Sequence, residues 1–248
     1  MNVIEIKDLN FSYGDNELFK NLNLLIRKNS FLTILGKNGI GKSTLANLIN
    51  NRYQGVSIKE GDIAYIFSNS EKQIVGKTVQ EQLTFYLKEQ RLNDNQIKLR
   101  LSKIVKEFSL KQLLDKDPYE LNISEKQIII LLSNLIADFN IIILDDALSF
   151  IDPLNKDKLF KYMLKKKRTI INFTNCTEEC IYGSEVAILN KNIILQEKTM
   201  DALKEEKLFL ENSLKLPFMA DLSLKLQYYN LMNDIVIDMD DVVNIIWN

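Results

Sequence analysis

The sequence predicts an α/β fold. A parallel-sheet core is preceded by an antiparallel β subdomain, interrupted by a helical subdomain and followed by a small C-terminal helical extension. Three observations lead there. Short unbroken apolar runs at residues 31–35, 141–144 and 169–173 read as strands buried on both faces. Helical stretches alternate with them. Three of the eight glycines fall between Gly36 and Gly41, where a strand pattern gives way to a helix pattern.

Element by element, residues 3–6, 9–13, 22–26 and 31–35 carry the β-branched and aromatic content of strands. Gly14-Asp15-Asn16 and Lys28-Asn29 are turns between them. A helix is expected over 42–51 and a strand over 63–67. From Thr78 to about Phe139 the chain has long charged and apolar side chains and no glycine, so it reads as helical. Strand 141–144, helix 153–167 and strand 169–173 follow, then a closing hairpin over 186–189 and 192–195. After Met200 the chain is helical again, broken at Pro217, and Asp238 is placed to cap the last helix. The expected division is a main domain over 1–211, containing the helical subdomain at about 78–139, and an extension over 212–248.

Composition removes several function classes. Lys and Arg number 32 against 33 Asp and Glu, a formal charge of -1, which gives no general attraction to nucleic acid. There is no histidine, which excludes Ser-His-Asp and Cys-His catalysis and H-E-x-x-H zinc sites. Cys176 and Cys180 are too few for a four-cysteine zinc site and read as reduced thiols. Residues 1–13 lack a signal-peptide pattern. The longest apolar stretch, 128–136, falls short of the ~20 residues a membrane span needs.

Chemistry concentrates in Gly36-Lys37-Asn38-Gly39-Ile40-Gly41-Lys42-Ser43-Thr44, which fits G-x-x-x-x-G-K-[S/T] between a strand and a helix. Glycines let backbone N–H groups turn inward around phosphate oxygens. The helix N-terminus adds partial positive charge. Lys42 brings a full charge to the outer phosphates, and the Ser43 hydroxyl suits Mg²⁺. The apolar strand 141–144 ends in Asp145-Asp146. Asp145 suits the metal, directly or through water, and Asp146 suits the attacking water. The expected ligands are therefore a nucleotide and Mg²⁺.

A phosphate loop, a helical insert and a strand ending in carboxylates, in this order, resemble an ATP-binding-cassette (ABC) ATPase, a P-loop NTPase with a RecA-like parallel core. Four stretches sharpen the resemblance. Phe11-Ser12-Tyr13 lies where such ATPases stack an aromatic on adenine. Ile66-Phe67-Ser68-Asn69 through Gln73-Ile74-Val75-Gly76-Lys77-Thr78-Val79 is similar to the Q-loop segment. Leu121-Asn122-Ile123-Ser124-Glu125-Lys126-Gln127 lies where the LSGGQKQ signature belongs, and Ser149-Phe150-Ile151-Asp152-Pro153 resembles the D-loop. The run from Gln73 to Val79 and the tail, Asn212 to Phe218 and Asp240 to Trp247, are similar to the ATPases of energy-coupling factor (ECF) transporters. That resemblance implies an ATPase dimer in which each ATP lies between one chain's phosphate loop and the other's signature. It also implies a transmembrane coupling subunit, a membrane substrate-binding subunit, and a peripheral position on the cytoplasmic face of the cell membrane.

Against the family pattern, the Q-loop glutamine position is Ser68. The signature's Ser-Gly-Gly is Asn122-Ile123-Ser124. The catalytic glutamate position is Asp146, and the switch-histidine position is Asn175. Asp is one methylene shorter than Glu, and Asn carries neither charge nor proton. The binding groups Tyr13, Lys42, Ser43 and Asp145 remain. The pattern implies a subunit that binds ATP-Mg and hydrolyses it slowly beside a more competent, non-identical ATPase. Two alternatives stand: a stand-alone nucleotide-dependent module, and a fully active ATPase that tolerates Asp and Asn. Lys165-Lys166-Lys167-Arg168 reads as a solvated helix end. Phe85 and Tyr86 suit core packing or a membrane partner equally.

Overall fold

The computed structural model describes residues 1–68 and 70–247. Asn69, part of the expected Q-loop segment, lies outside them. In chain order, β1 (Asn2–Tyr13) turns through Gly14 and Asp15 into its antiparallel partner β2 (Asn16–Arg27). Ile4 faces Ile26 and Ile6 faces Leu24, which buries one side of the hairpin. The two strands expected at 3–6 and 9–13 are therefore one. The register shifts between Ile6 and Leu9, where Asp8 has φ +46°, so the break is a local irregularity and not a turn. Next come β3 (Phe31–Leu35), α1 (Lys42–Asn50), β4 (Val56–Ile58) and β5 (Ile63–Phe67).

The helical stretch resolves into α2 (Val79–Glu89), α3 (Asp94–Glu107) and α4 (Ile123–Leu135). Thr78 caps α2 and Asn93 caps α3. Between α3 and α4 the chain takes two 3₁₀ turns, Lys111–Leu113 and Pro118–Glu120, the second begun by proline. Then follow β6 (Ile141–Asp145), α5 (Pro153–Leu164), β7 (Thr169–Thr174), β8 (Glu185–Asn190) and β9 (Asn192–Lys198). The helices α6 (Thr199–Ala202), α7 (Glu206–Glu211), α8 (Phe218–Tyr228) and α9 (Met239–Trp247) end the chain. Asp238 accepts from Asp240 N at 2.9 Å, the cap expected for α9.

The chain divides into two compact units. One holds Met1–Glu60 and the chain from Thr169 onward. It contains an antiparallel sheet in the order β2-β1-β4. It also contains β3 lying parallel to both β7 and β8, with β9 antiparallel to β8. The second unit, Gly61–Arg168, holds β5 parallel to β6 with helices α2 to α5. All five residues of β3 and of β6 are buried, as runs without polar alternation require. In the first unit one apolar cluster joins Leu35, Val186 and Ile188 to Phe209, Leu214, Ala220 and Ile235, so the C-terminal helices share the core of the strands. No disulfide joins Cys176 to Cys180, and burial pushes the Cys180 thiol up to about 12. No helix among the described residues is long and apolar enough to cross a membrane.

Candidate nucleotide-binding site

In the first unit, β3 delivers the chain to the phosphate loop from between β7 and β8, with Leu35 level with Thr174 and Ile188. Gly39 and Gly41 have φ +79° and +108°, values that side-chain-bearing residues rarely adopt. A Cβ on Gly41 would also lie 2.8 Å from the Phe19 ring. Gly41 O accepts from Leu45 N at 2.9 Å and opens α1. Lys42 is 5% exposed, and its Nζ donates to Gly36 O at 2.9 Å and Lys37 O at 3.3 Å. Its ammonium therefore lies within the loop that a phosphate would enter. Lys37, Asn38, Gly39 and Ser43 face solvent, with Ile40 and Thr44 half-buried.

Two residues from distant parts of the sequence meet this loop. Tyr13, 62% exposed, brings its hydroxyl to 3.4 Å from Thr44 Oγ1, and its ring meets Phe11 edge-on at 4.9 Å. Asn175, just beyond β7, donates from Nδ2 to Asn38 Oδ1 at 2.9 Å. The structure thus brings Tyr13 and Asn175 to the loop.

In the second unit, β6 ends in Asp145, 5% exposed, whose Oδ2 accepts from the Tyr65 hydroxyl at 2.9 Å. Burial, and then the adjacent Asp145 carboxylate, push the Tyr65 phenol above its ordinary range. Asp146 follows with φ +48°, a left-handed conformation that Asp tolerates better than most residues. Its carbonyl accepts from Ser149 N at 3.2 Å and Ser149 Oγ at 2.7 Å, which closes the turn after the strand. Ser68 N donates to Asp145 O at 3.1 Å, so Ser68 sits beside the same strand end.

The segment after Ser68 is held by glutamines. Gln73 Nε2 donates to Phe67 O at 2.8 Å, and Gln127 Nε2 reaches the same carbonyl at 3.3 Å. Gln82 Oε1 accepts from Val75 N at 2.8 Å and Gly76 N at 3.1 Å. The roles of Tyr65, Gln82 and Gln127 were not read from the sequence. Tyr65 in an apolar strand and Gln82 in a helix carry no motif signal, and Gln127 was read only as part of the signature stretch.

At α4, Asn122, Ile123 and Ser124 form the entry to the helix. Asn122 Oδ1 accepts from Glu125 N at 2.9 Å, while Glu125 Oε2 accepts from Asn122 N at 3.1 Å, a reciprocal capping box. The Asn122 side chain is thereby engaged in its own helix, and Ile123 is 54% exposed beside it.

The groups present suit a nucleotide and Mg²⁺. The loop's backbone, Lys42 and the α1 N-terminus form an anion cradle, and a Cβ at Gly36 or Gly41 would press on Ile40 or Phe19. Ser43 and Asp145 are hard oxygen donors of the kind Mg²⁺ takes. Among the described residues no group of three or more His, Cys, Asp or Glu could hold a metal by itself.

Residues 19–149, more than half of the chain, match the ABC transporter family model. Energy-coupling factor transporter ATP-binding protein EcfA1 of Fusobacterium nucleatum subsp. nucleatum is 30% identical, over 99% of this chain and 98% of its own length. The corresponding EcfA of Aster yellows witches'-broom phytoplasma is also 30% identical, over 94% and 90%. The solved structure of cbiO1 from Clostridium perfringens, part of the ABC transporter complex cbiONQ, has a TM-score of 0.71 at 23% identity. It covers 89% of this chain and 98% of its own, which is a likeness of fold. The phosphate loop, the carboxylate-ended strand and these full-length likenesses agree: the chain belongs to the ABC transporter ATPases, among the energy-coupling factor ATP-binding proteins.

Proposed function

We propose that this chain is the ATP-binding subunit of an ECF importer and the catalytically weakened member of a pair of non-identical ATPases. It lies peripherally on the cytoplasmic face of the cell membrane, against a transmembrane coupling subunit and beside a membrane substrate-binding subunit. Binding and hydrolysis of ATP then drive uptake of a vitamin or metal ion. Its relatives' names support the transporter assignment. One observation carries the weakened role: Lys42, the loop glycines and Tyr13 keep the groups that hold the nucleotide, while Ser68 and Asn175 differ in kind from the family's hydrolytic groups and Asp146 is one methylene short.

In this reading Lys42 exchanges its bonds to Gly36 O and Lys37 O for the outer phosphate oxygens. Tyr13 stacks on adenine, a contact worth ~1–3 kcal/mol. Gly36 to Thr44 wrap the phosphates. Ser43 and Asp145 would hold Mg²⁺, which supplies charge neutralisation on the phosphates. Asp146 orients the attacking water from a carboxylate set back by one methylene. A misplacement near 1 Å costs on the order of 10²-fold. Asn175 donates an amide N–H to the terminal phosphate but neither charge nor proton. Asn122, Ile123 and Ser124 meet the nucleotide held by the partner ATPase, where the side chains at 123 and 124 keep the backbone further away than glycine would.

The test is turnover of the complete transporter carrying Asp146→Asn in this chain alone. Most of the ATP turnover survives, while the equivalent change in the partner ATPase removes it. Loss of most turnover through Asp146→Asn alone contradicts the weakened role.

A further inference from the structure

We infer that Tyr65 is a positioning residue for the Asp145 carboxylate, gripping Oδ2 and so fixing how the group is presented to Mg²⁺. This rests on the metal role proposed above for Asp145. The two strands concerned run parallel, with Tyr65 level with Ile143 and Phe67 level with Asp145. From two residues upstream, the Tyr65 side chain reaches toward the strand end and places its hydroxyl 2.9 Å from Asp145 Oδ2. The Phe67 ring lies against the Tyr65 ring, centroids 5.6 Å apart, and limits where the phenol can swing. Asp145 is almost fully buried, so protein groups rather than bulk water govern the rotation of its carboxylate.

The physical consequence is specific to a metal. Mg²⁺ demands near-octahedral geometry at about 2.0–2.1 Å and tolerates little misdirection of its ligands. A neutral donor on one carboxylate oxygen keeps the negative charge and fixes the plane of the group. Loss of such an outer partner typically costs 10–100-fold in metal affinity. Tyr65 is therefore expected to act on the metal and not on ATP itself.

Binding of a fluorescent ATP analogue to the full chain, titrated with Mg²⁺ and repeated in EDTA, reads the two effects separately. Tyr65→Phe keeps the ring and removes the hydroxyl, and Tyr65→Met keeps apolar bulk; thermal melts check that both fold. Each is expected to raise the Mg²⁺ concentration for half-maximal binding about tenfold while leaving metal-free affinity unchanged. Asp145→Asn gives a larger shift of the same kind. If Asp145→Asn shifts the Mg²⁺ dependence and neither Tyr65 variant does, the positioning role fails and the metal role of Asp145 stands. If Asp145→Asn leaves it unmoved, the metal role fails first. An equal loss with and without Mg²⁺ in the Tyr65 variants marks a merely structural tyrosine and also overturns the inference.

Discussion

Gly41 shows how much the site asks of a single residue. Its φ of +108° and the Phe19 ring beside its missing side chain act against any substitution. Gly41→Ala is expected to destabilise the fold by about 1–3 kcal/mol in urea unfolding, from backbone strain, before the ring contact is counted. Asn175 gives a prediction in pH. With no histidine in the chain, hydrolysis at its own phosphate loop should not follow an imidazole titration near pH 6.5. Asn175→His should bring that dependence into the rate profile of ATP hydrolysis by the purified chain. Asp138 supplies an acid limb. The hydrogen bond from Arg100 Nη2 at 2.5 Å holds its carboxyl below the usual range. A depressed folded value stabilises above the unfolded value, about pH 4, and that contribution is lost as pH falls through the folded value. Asp138→Asn should flatten this part of the stability–pH curve. The loop residues were legible because they are contiguous and their spacing is itself the chemistry. Tyr65 was not legible, because its partner Asp145 lies 80 positions away and only the pairing of their strands brings them together.

At the scale of elements, α4 carries the clearest departure from the family pattern. Asn122 and Glu125 close the helix N-terminus on themselves, and Ile123 and Ser124 put side chains where the signature has glycine. Asn122→Ala should cost about 1 kcal/mol of stability through the lost cap. Glu125→Gln keeps the box, since glutamine serves equally at that position, but removes a carboxylate from the turn proposed to face the partner's nucleotide. ATP affinity of the assembled ATPase pair should rise in that variant, and less so at high salt. The helix itself was readable from side-chain types, but its capping box was not read from them. The strand β4 was not: three residues between Gly55 and Gly61 carry too little periodicity, and it is β1 that makes them a strand. The single strand β1 was misread as two for the opposite reason, because a bulge near Asp8 resembles a turn in composition.

Across the whole molecule, the sequence showed helices after Met200 but not what they cover. Leu214, Ala220 and Ile235 lie in one cluster with Leu35 and Ile188, next to the strand that feeds the phosphate loop. Deleting the chain after Glu211 exposes that cluster. Burying one Leu or Ile is worth about 1.5–3 kcal/mol, so the truncated chain is expected to melt well below the intact one in a thermal scan. Within each compact unit a short, fully buried strand fixes the candidate residues, β3 leading into the phosphate loop in one and β6 ending in Asp145 in the other. Strand cores of this kind are legible as apolar runs; long-range pairing is not. The account depends most on the phosphate loop holding a triphosphate. Its direct measurement is equilibrium binding of ATP with Mg²⁺ to the purified chain and to Lys42→Ala. The intact chain should bind with a saturable isotherm, and Lys42→Ala should bind at least about tenfold more weakly, the equivalent of about 1.4 kcal/mol. Equal affinity in the two proteins, or no binding by the intact chain, contradicts it.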